Sequence, residues 1–572
     1  MDTLVRKIIS DTPDEFAKDI VTFQEEYGTK TTFEELNIDQ LRTKLWEQLI
    51  CCLLDDARSS TTHQQCLSTL RILSRDKTDI NECTSDERIN LILNYAALGD
   101  ASEHTPSTSV IIESLKLLSN LIYNSTYVQQ KLETPCLFRL IDRMRKYNSA
   151  TSSEMMFFDT RIVFLITALK KDTQSLIKDI LRGDECLIKI LENISTQCEQ
   201  EKTNTIKVED ALLACEVMAA LFNLYMNPVH WTDKDNYRMK NLISILYKLL
   251  LFECEKCEDL QRNITNLLMV APYSCYSTII PPAQDTGKHV FQNTDMQAVS
   301  ILLKFLDKRL DCKDDLIGNL SAIVTTFIRM VKAEKLIRKY TRMQILPPLK
   351  DVMHRPEEGT TLRAKLCKLL TSPLTQLRDL VAEFLFILCK ENVSRMVKYT
   401  GYGNAAGMFA NKGLLGLNRE KAGYSSESED SETEEYLQHK EQINPVTGCF
   451  EHPKPNPLEG MSEERKEYEA LQLVGLIDQL TSQSNMFLSY RSNRQDSNII
   501  SIWTILIKCW KKPMRAQDKN NVCFSTMFQR TAIRFFLIFF SLFFTSFDDD
   551  DHDTRLGNVL PRAMGRRRQI DR

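Results

Sequence analysis

A chain of 572 residues exceeds what one hydrophobic core organises, so it holds several domains or one long repeat array. Its hydrophobic share of 43% and charged share of 26% are those of a soluble folded protein, and a net charge of −4 supplies no bulk attraction for nucleic acid. The 17 cysteines lack regular spacing, and the opening "MDTLVRKIISDTPDEF" is charged rather than signal-like, so we expect a reduced cytosolic protein with cysteine as a small core residue.

Through the first 340 or so residues Gly and Pro are sparse and strand-like alternation is nearly absent. Helix-period segments with a related apolar core recur instead: "LRILSRD" from Leu70, "LLSNLIYNS" from Leu117, "VFLITALKKD" from Val163 and "ALFNLYMN" from Ala220. "ITNLLMVAP" from Ile264, "IGNLSAIV" from Ile317 and "FLFILCKEN" from Phe384 continue the series. They lie mostly about 45 to 55 residues apart, near the roughly 40–47 of armadillo and HEAT units. The expected fold is therefore all-α, an armadillo/HEAT-like right-handed superhelical repeat over residues 1–400, with an inner groove as its binding surface. Asn120, Asn223, Asn266 and Asn319 punctuate the copies. Such an amide either bonds the backbone of a ligand or bridges neighbouring helices, and the pattern alone leaves both open.

Between Arg338 and about Leu415 the apolar stripe Leu377, Leu380, Val381, Phe384, Leu385 and Leu388 is flanked by the Pro-containing turns "LPPL" and "TSP", the mark of paired helices in a stack. Arg338, Lys339, Arg342, Lys350, Arg363 and Lys365 crowd this stretch and predict a positive surface. The phrases "LPPLKDV", "RPEEGTTLRAKL", "LVAEFLFILCKENV" and "KYTGYGNAAG" resemble the synembryn family, cytosolic exchange factors and folding chaperones of heterotrimeric G-protein α subunits. The resemblance runs from the first helices to about Leu480.

Residues 401–461 read as a linker: Gly-rich at first, with partly ordered turns and short helix, then the acidic "SSESEDSETEEY" from Ser425, then "INPVTG" and "PKPNPLEGM" as extended, Pro-dictated connector. Ser426 and Ser431 have a glutamate three residues on, Ser428 gains that determinant once Ser431 is phosphorylated, and Thr433 precedes Glu434 and Glu435. An acidophilic casein-kinase-type enzyme reads such spacing, so these four hydroxyls are the expected phosphorylation sites. A helix over 462–481 follows, capped by Ser462, with Ala470, Leu473, Val474, Ile477 and Leu480 as one apolar stripe for docking. After about Ser482 the resemblance stops. "FFLIFFSLFFTSF" is too short for an ordinary spanning helix and has the residue bias of a translated polypyrimidine tract, so the tail is given no function and no stable membrane insertion is expected.

No phosphate-cradling loop, nucleophile elbow, zinc-protease motif or EF-hand occurs, so no enzyme, metal or cofactor is expected. The pair Cys254 and Cys257 lacks the second pair that zinc requires and reads as structural, inside a helical run. The resemblance implies an exchange factor and chaperone that binds the GDP-bound, βγ-free α subunit by its C-terminal helix and stabilises the nucleotide-free state. It implies a cytoplasmic monomer with recruitment to the cell cortex. Arg71 and Arg75 are carried over as groove residues, and so are Asn120, Asn124, Arg338, Lys339 and Arg342; Leu473, Val474 and Ile477 would clamp a second surface. Asn223 joins them through the repeat pattern. The alternative from another class is an armadillo-type adaptor or transport scaffold holding an extended peptide.

Overall fold

The computed structural model describes residues 2–10, 13–100, 106–226, 231–284, 289–312, 314–414 and 433–452, with scattered positions between 461 and 472. These residues form two units. One comprises the described residues up to Arg238 together with Phe252–Asn263; the other comprises Met239–Leu251 and the described residues from Ile264 onward.

The first unit is built on four helices, α1 (Ser60–Leu73), α2 (Thr108–Asn124), α3 (Ser153–Leu169) and α4 (Val208–Tyr225). Each packs along the one before it, and each is preceded by a helix that backs it: Leu41–Leu54, Asp86–Tyr95, Thr134–Arg145 and Gly183–Gln200 respectively. This is the helix-stack logic of the armadillo class, in which neighbouring units bury what a single unit cannot. The local sequence explains the boundaries. Ser59 caps α1 by accepting from the Thr62 backbone N–H at 3.2 Å, and Ser125 does the same for the short helix after α2 through Val128 N at 3.2 Å. α4 is buried almost all round, from Ala211 to Tyr225, as its unbroken apolar sequence demands.

The second unit repeats the scheme with α5 (Leu316–Ala333) and α6 (Thr375–Leu388), packed together through Phe327 and Phe384, whose rings lie 5.8 Å apart. α5 is long and apolar enough to cross a membrane, but Leu320, Phe327 and Met330 on it are fully buried within the unit. The all-α, armadillo/HEAT-like expectation therefore stands.

The stretch read as linker holds the short helix expected of its Gly-rich part, and departs from expectation at the Pro-containing part. Tyr402–Asn411 is a helix, and "INPVTGCF" is a hairpin pairing Ile443–Asn444 with Cys449–Phe450 rather than an extended connector. Its backbone is tied to the unit: Tyr402 N–H donates to Pro445 O and Gly403 N–H to Val446 O, both at 2.8 Å, and Phe450 N–H donates to Val352 O at 2.7 Å. Gly448, at φ +72°, makes the turn possible. The Pro was read as a spacer signal, whereas here it precedes a turn closed by that glycine.

Candidate functional site

The helices α1 to α4 share a polar and aromatic strip whose links can be followed residue by residue. Arg71 near the end of α1 donates Nε to Glu113 Oε2 of α2 at 3.0 Å. Glu113 also accepts from Lys116 Nζ at 2.7 Å, and Lys116 reaches Glu154 at the start of α3 at 2.8 Å. The Lys116 ammonium lies 5.5 Å from the Phe158 ring centroid; Phe158 meets Phe157 edge-on at 5.2 Å, and the Arg161 guanidinium lies 5.1 Å from the Phe157 ring. Arg161 closes the series on Glu216 of α4, with 2.7 Å between Nε and Oε1. The helical period puts i, i+3 and i, i+4 residues on one side, which is why Glu113 and Lys116, and Phe157 and Arg161, fall together. Glu154 is half exposed, and Arg71 and Lys116 keep about a quarter and a fifth of their side-chain surface. Water is thus only partly excluded from the strip, and its cations raise each other's cost less than in a closed core.

Arg75 lies beyond the end of α1. The helix ends at Leu73, and Arg75 turns back to donate Nη1 to the carbonyls of Gly28 and, at 3.2 Å, Lys30. Burial and the neighbouring Arg71 charge push its pKa down.

The asparagines bridge helices. Asn120 donates Nδ2 to Arg71 O at 3.0 Å and Ser74 Oγ at 3.1 Å, and Asn124 donates to Ser74 O at 2.8 Å. Asn223, only 2% exposed, donates to Phe164 O at 3.2 Å and Thr167 Oγ1 at 3.1 Å. In each case the amide of one helix satisfies a carbonyl near the end of the preceding one. Asn319 falls out of the series: it sits at the start of α5, donating to Asp314 O at 2.7 Å. In the second unit the equivalent bridge is Thr326, which donates to Thr265 O at 2.9 Å.

The stretch expected to form a positive surface is partly turned inward. Arg342 is 6% exposed and stands 6.0 Å from the Tyr399 ring centroid. Arg338 donates to Val331 O at 2.9 Å, and Lys365 is held by Asp307 at 2.6 Å and Asp311 at 2.8 Å. Lys339 is half-buried, and Lys350 stays exposed. The apolar stripe of the helix Lys335–Ile345 explains this, since Ile337, Tyr340 and Ile345 pull Arg342 in with them.

Thr433 caps the helix Glu434–His439 by accepting from Tyr436 N at 3.2 Å, and its hydroxyl donates to Leu349 O. Ser426, Ser428, Ser431, Leu473, Val474 and Ile477 lie outside the described residues. Ser462 Oγ does stand 3.4 Å from Arg465 N, as a cap would. Sequence reasoning missed Glu113, Lys116, Glu154, Phe157, Phe158, Arg161 and Glu216. The i, i+3 pair Glu113/Lys116 and the doubled Phe were the available signals, but nothing in one sequence aligns them across separate helices.

The chain matches the family described as guanine nucleotide exchange factor synembryn over residues 66–488. It is 37% identical over 499 residues to the chaperone Ric-8A of Xenopus tropicalis, covering 84% of this chain and 92% of that protein. It is 34% identical over 470 residues to the chaperone Ric-8A of Mus musculus, covering 80% and 88%, and 33% identical over 527 residues to the chaperone Ric-8 of Drosophila melanogaster, covering 81% and 91%. Among solved structures it is similar to a designed armadillo repeat protein in complex with the peptide (KR)4, at 16% identity and a TM-score of 0.32, covering 47% of this chain and 98% of that one.

Proposed function

The chain belongs to the synembryn family of guanine nucleotide exchange factors, and from that premise we propose that it binds GDP-bound, monomeric G-protein α subunits and catalyses release of their nucleotide. The strip from Arg71 to Glu216 is the observation that carries the proposal. It spans four packed helices and offers partly exposed charges of both signs beside two aromatic rings. An amphipathic helix of the partner, laid across α1 to α4, would bury apolar residues on Phe157 and Phe158. Its carboxylates would be exchanged onto Arg71, Lys116 and Arg161.

No reacting group is needed for this activity. An exchange factor accelerates release by binding the nucleotide-free state more tightly than the loaded one, so the partner's C-terminal helix is drawn off its nucleotide-binding core. The same capture serves a chaperone role for newly made α subunits. The segment from Ser462 onward, whose Tyr468 and Leu471 are 60% and 67% exposed, is suited to clamp a second surface of the partner. Action in the cytosol, with recruitment to the cell cortex, follows from the partner.

The test is release of a fluorescent guanine nucleotide from purified α subunits, with capture assays on nucleotide-free and GTP-loaded forms of each class. Faster release, and retention of the nucleotide-free form over the GTP-loaded one, is the expected result. Equal capture of both forms without stimulation of release would overturn it.

A further inference from the structure

We propose that Cys254 and Cys257 form a thiol–disulfide exchange site that a low-molecular-weight disulfide of the glutathione type closes to an intramolecular disulfide. The sequence places them as "CEKC", a spacing that the proposed exchange function leaves unused. The structure breaks the expected helical run between Leu251 and Cys257, so Cys254 lies between two helices. The helix Asp233–Leu251 ends before them, and Cys257 is the first residue of the helix Cys257–Met269. The break has a cause: Glu253 N–H donates to Asn204 O at 2.8 Å and Glu253 O accepts from Ile206 N–H at 2.9 Å, so the chain leaves the helix to pair with the loop that leads into α4.

The turn holds the two cysteines within reach of a disulfide. Cys257 N–H donates to Cys254 O at 3.2 Å, which folds the four residues into one turn. A turn of this kind keeps its end Cα atoms within about 7 Å, against the roughly 4.4–6.8 Å that a disulfide spans. The Cys257 sulfur lies back over its partner, 3.1 Å from Cys254 N and 2.6 Å from Cys254 O. Both residues are half-buried, which leaves a path for a small reagent, whereas most other described cysteines are buried in packed helices. Cys257 opens the helix Cys257–Met269, whose N-terminus favours a thiolate, while burial and the hydrogen bond to Cys257 push the Cys254 thiol up to about 12, so Cys257 attacks and Cys254 resolves.

The chemistry balances without any further oxidant. The Cys257 thiolate attacks one sulfur of oxidised glutathione, the S–S bond breaks, and one glutathione leaves as thiolate with the bonding pair. Cys254 then gives up its proton and attacks the Cys257 sulfur of the mixed disulfide, displacing the second glutathione thiolate. The two protons from the protein end on the two glutathione thiols, so two protein thiols and one disulfide become one protein disulfide and two thiols.

The full-length protein, equilibrated across a series of reduced-to-oxidised glutathione ratios, acid-quenched and alkylated, is mapped by peptide mass spectrometry. The peptide holding both residues should lose two hydrogens together. Cys254→Ser should instead trap glutathione on Cys257, and Cys257→Ser should leave Cys254 unmodified. A trivalent phenylarsenical, which needs two neighbouring thiols, should bind wild type at this peptide without any substitution. Exposed Cys51 is the internal control for access. Glutathione on Cys51 while Cys254 and Cys257 stay reduced, or a disulfide joining Cys254 to Cys215 instead, would overturn the proposal.

Discussion

Arg71 of α1 and Glu113 of α2 are joined at 3.0 Å, and Glu113 keeps only a tenth of its side-chain surface, so this arginine is a packing element between two helices. Arg71→Glu therefore does two things at once. It removes a cation from the strip, and it sets a second carboxylate against one that is nearly buried, at a cost of about 2–4 kcal/mol. The expected outcome is a lower Tm together with weaker α-subunit binding. The charge exchange Arg71→Glu with Glu113→Arg should recover most of the Tm while binding stays weak. Recovery of both would remove Arg71 from the binding surface. Arg75→Glu should lower Tm as well, because Arg75 holds the carbonyls of Gly28 and Lys30.

Asn223 tests the helix-bridging role apart from binding. At 2% exposure it donates to Phe164 O and Thr167 Oγ1, so Asn223→Leu removes one partner from each, leaving Thr167 Oγ1 on Val163 O and Phe164 O, and adds bulk to a packed seam. We expect destabilisation of about 1–3 kcal/mol by denaturant titration. A neutral result would show that the bridge contributes nothing net. Affinity for the α subunit should change no more than the folded fraction does.

Asp76 makes the fold sensitive to acid. Burial by itself would raise its carboxyl, but the N–H groups of Thr78 at 2.9 Å and Phe33 at 2.8 Å, with Arg42 beyond them, hold it below the ordinary carboxylate range. A depressed folded-state value means that the native state binds its proton less readily than the unfolded chain. The contribution is thus fully present above the unfolded value of about 4 and is lost as pH falls through the folded one. Asp76→Asn should cost about 1–3 kcal/mol at neutral pH, since an amide N–H then faces the Phe33 donor. The gap to wild type should close below about pH 4. A gap that is the same at pH 7 and pH 3 would mean that packing, not charge, sets the effect.

The helix stack was legible because its signal is local. Each ladder helix carries its own apolar period, as "LLSNLIYNS" and "ALFNLYMN" do, and the period survives whatever packs against it. The strip was not legible, because Glu113, Glu154 and Glu216 lie on different helices and only the packing of α2, α3 and α4 brings each to its cation. Arg342 shows the same limit from the other side. Its charge suggested a surface, but its position between Ile337, Tyr340 and Ile345 on one helix decided that it turned inward. The hairpin at 443–450 was hidden because Pro and Gly signal a turn and a linker alike until a partner such as Gly401 is known.

Gly401 measures how firmly that hairpin is held. Its φ is +74°, and an added Cβ would sit 3.0 Å from Thr447 O, so Gly401→Ala strains the backbone and crowds the turn together. The expected cost is about 1–2 kcal/mol, and limited proteolysis should then cut within 443–452 well before the helical units. Unchanged cleavage would show that the hairpin is held by its other contacts.

Phosphorylation of Ser426, Ser428 and Ser431 is expected to promote activity, whereas at Thr433 a phosphate ester would remove the hydroxyl that donates to Leu349 O and caps the next helix. The acidic run is tied down at both sides: Leu414 N–H donates to Phe409 O at 2.8 Å before it, and Thr433 donates to Leu349 O after it. The segment from Ser462 follows the hairpin in the chain, so docking of the run would act on the second unit itself. Arg342 and Lys365 are also poor receivers, the one buried and the other held by two aspartates. The cations at the Thr433 end are different. Lys350 is exposed next to Leu349, and Lys398 lies 4.3 Å from the Tyr436 ring centroid in the helix that Thr433 caps. Each phosphate brings about −1.5 to −2 charges. Ser431 precedes Thr433 by two residues in the chain, and these cations lie at Thr433 together with a helix N-terminus, which favours negative charge. The gain is then a firmer cap and a more rigid second unit. Kinase treatment should raise the rate of nucleotide release and Tm together, and Lys350→Glu with Lys398→Glu should abolish both gains while leaving the untreated rate in place. Thr433→Ala alone should cost about 1 kcal/mol through loss of the cap. Equal rates for treated wild type and a variant with Ala at all four hydroxyls, at confirmed stoichiometric phosphorylation, would show that the run only solubilises.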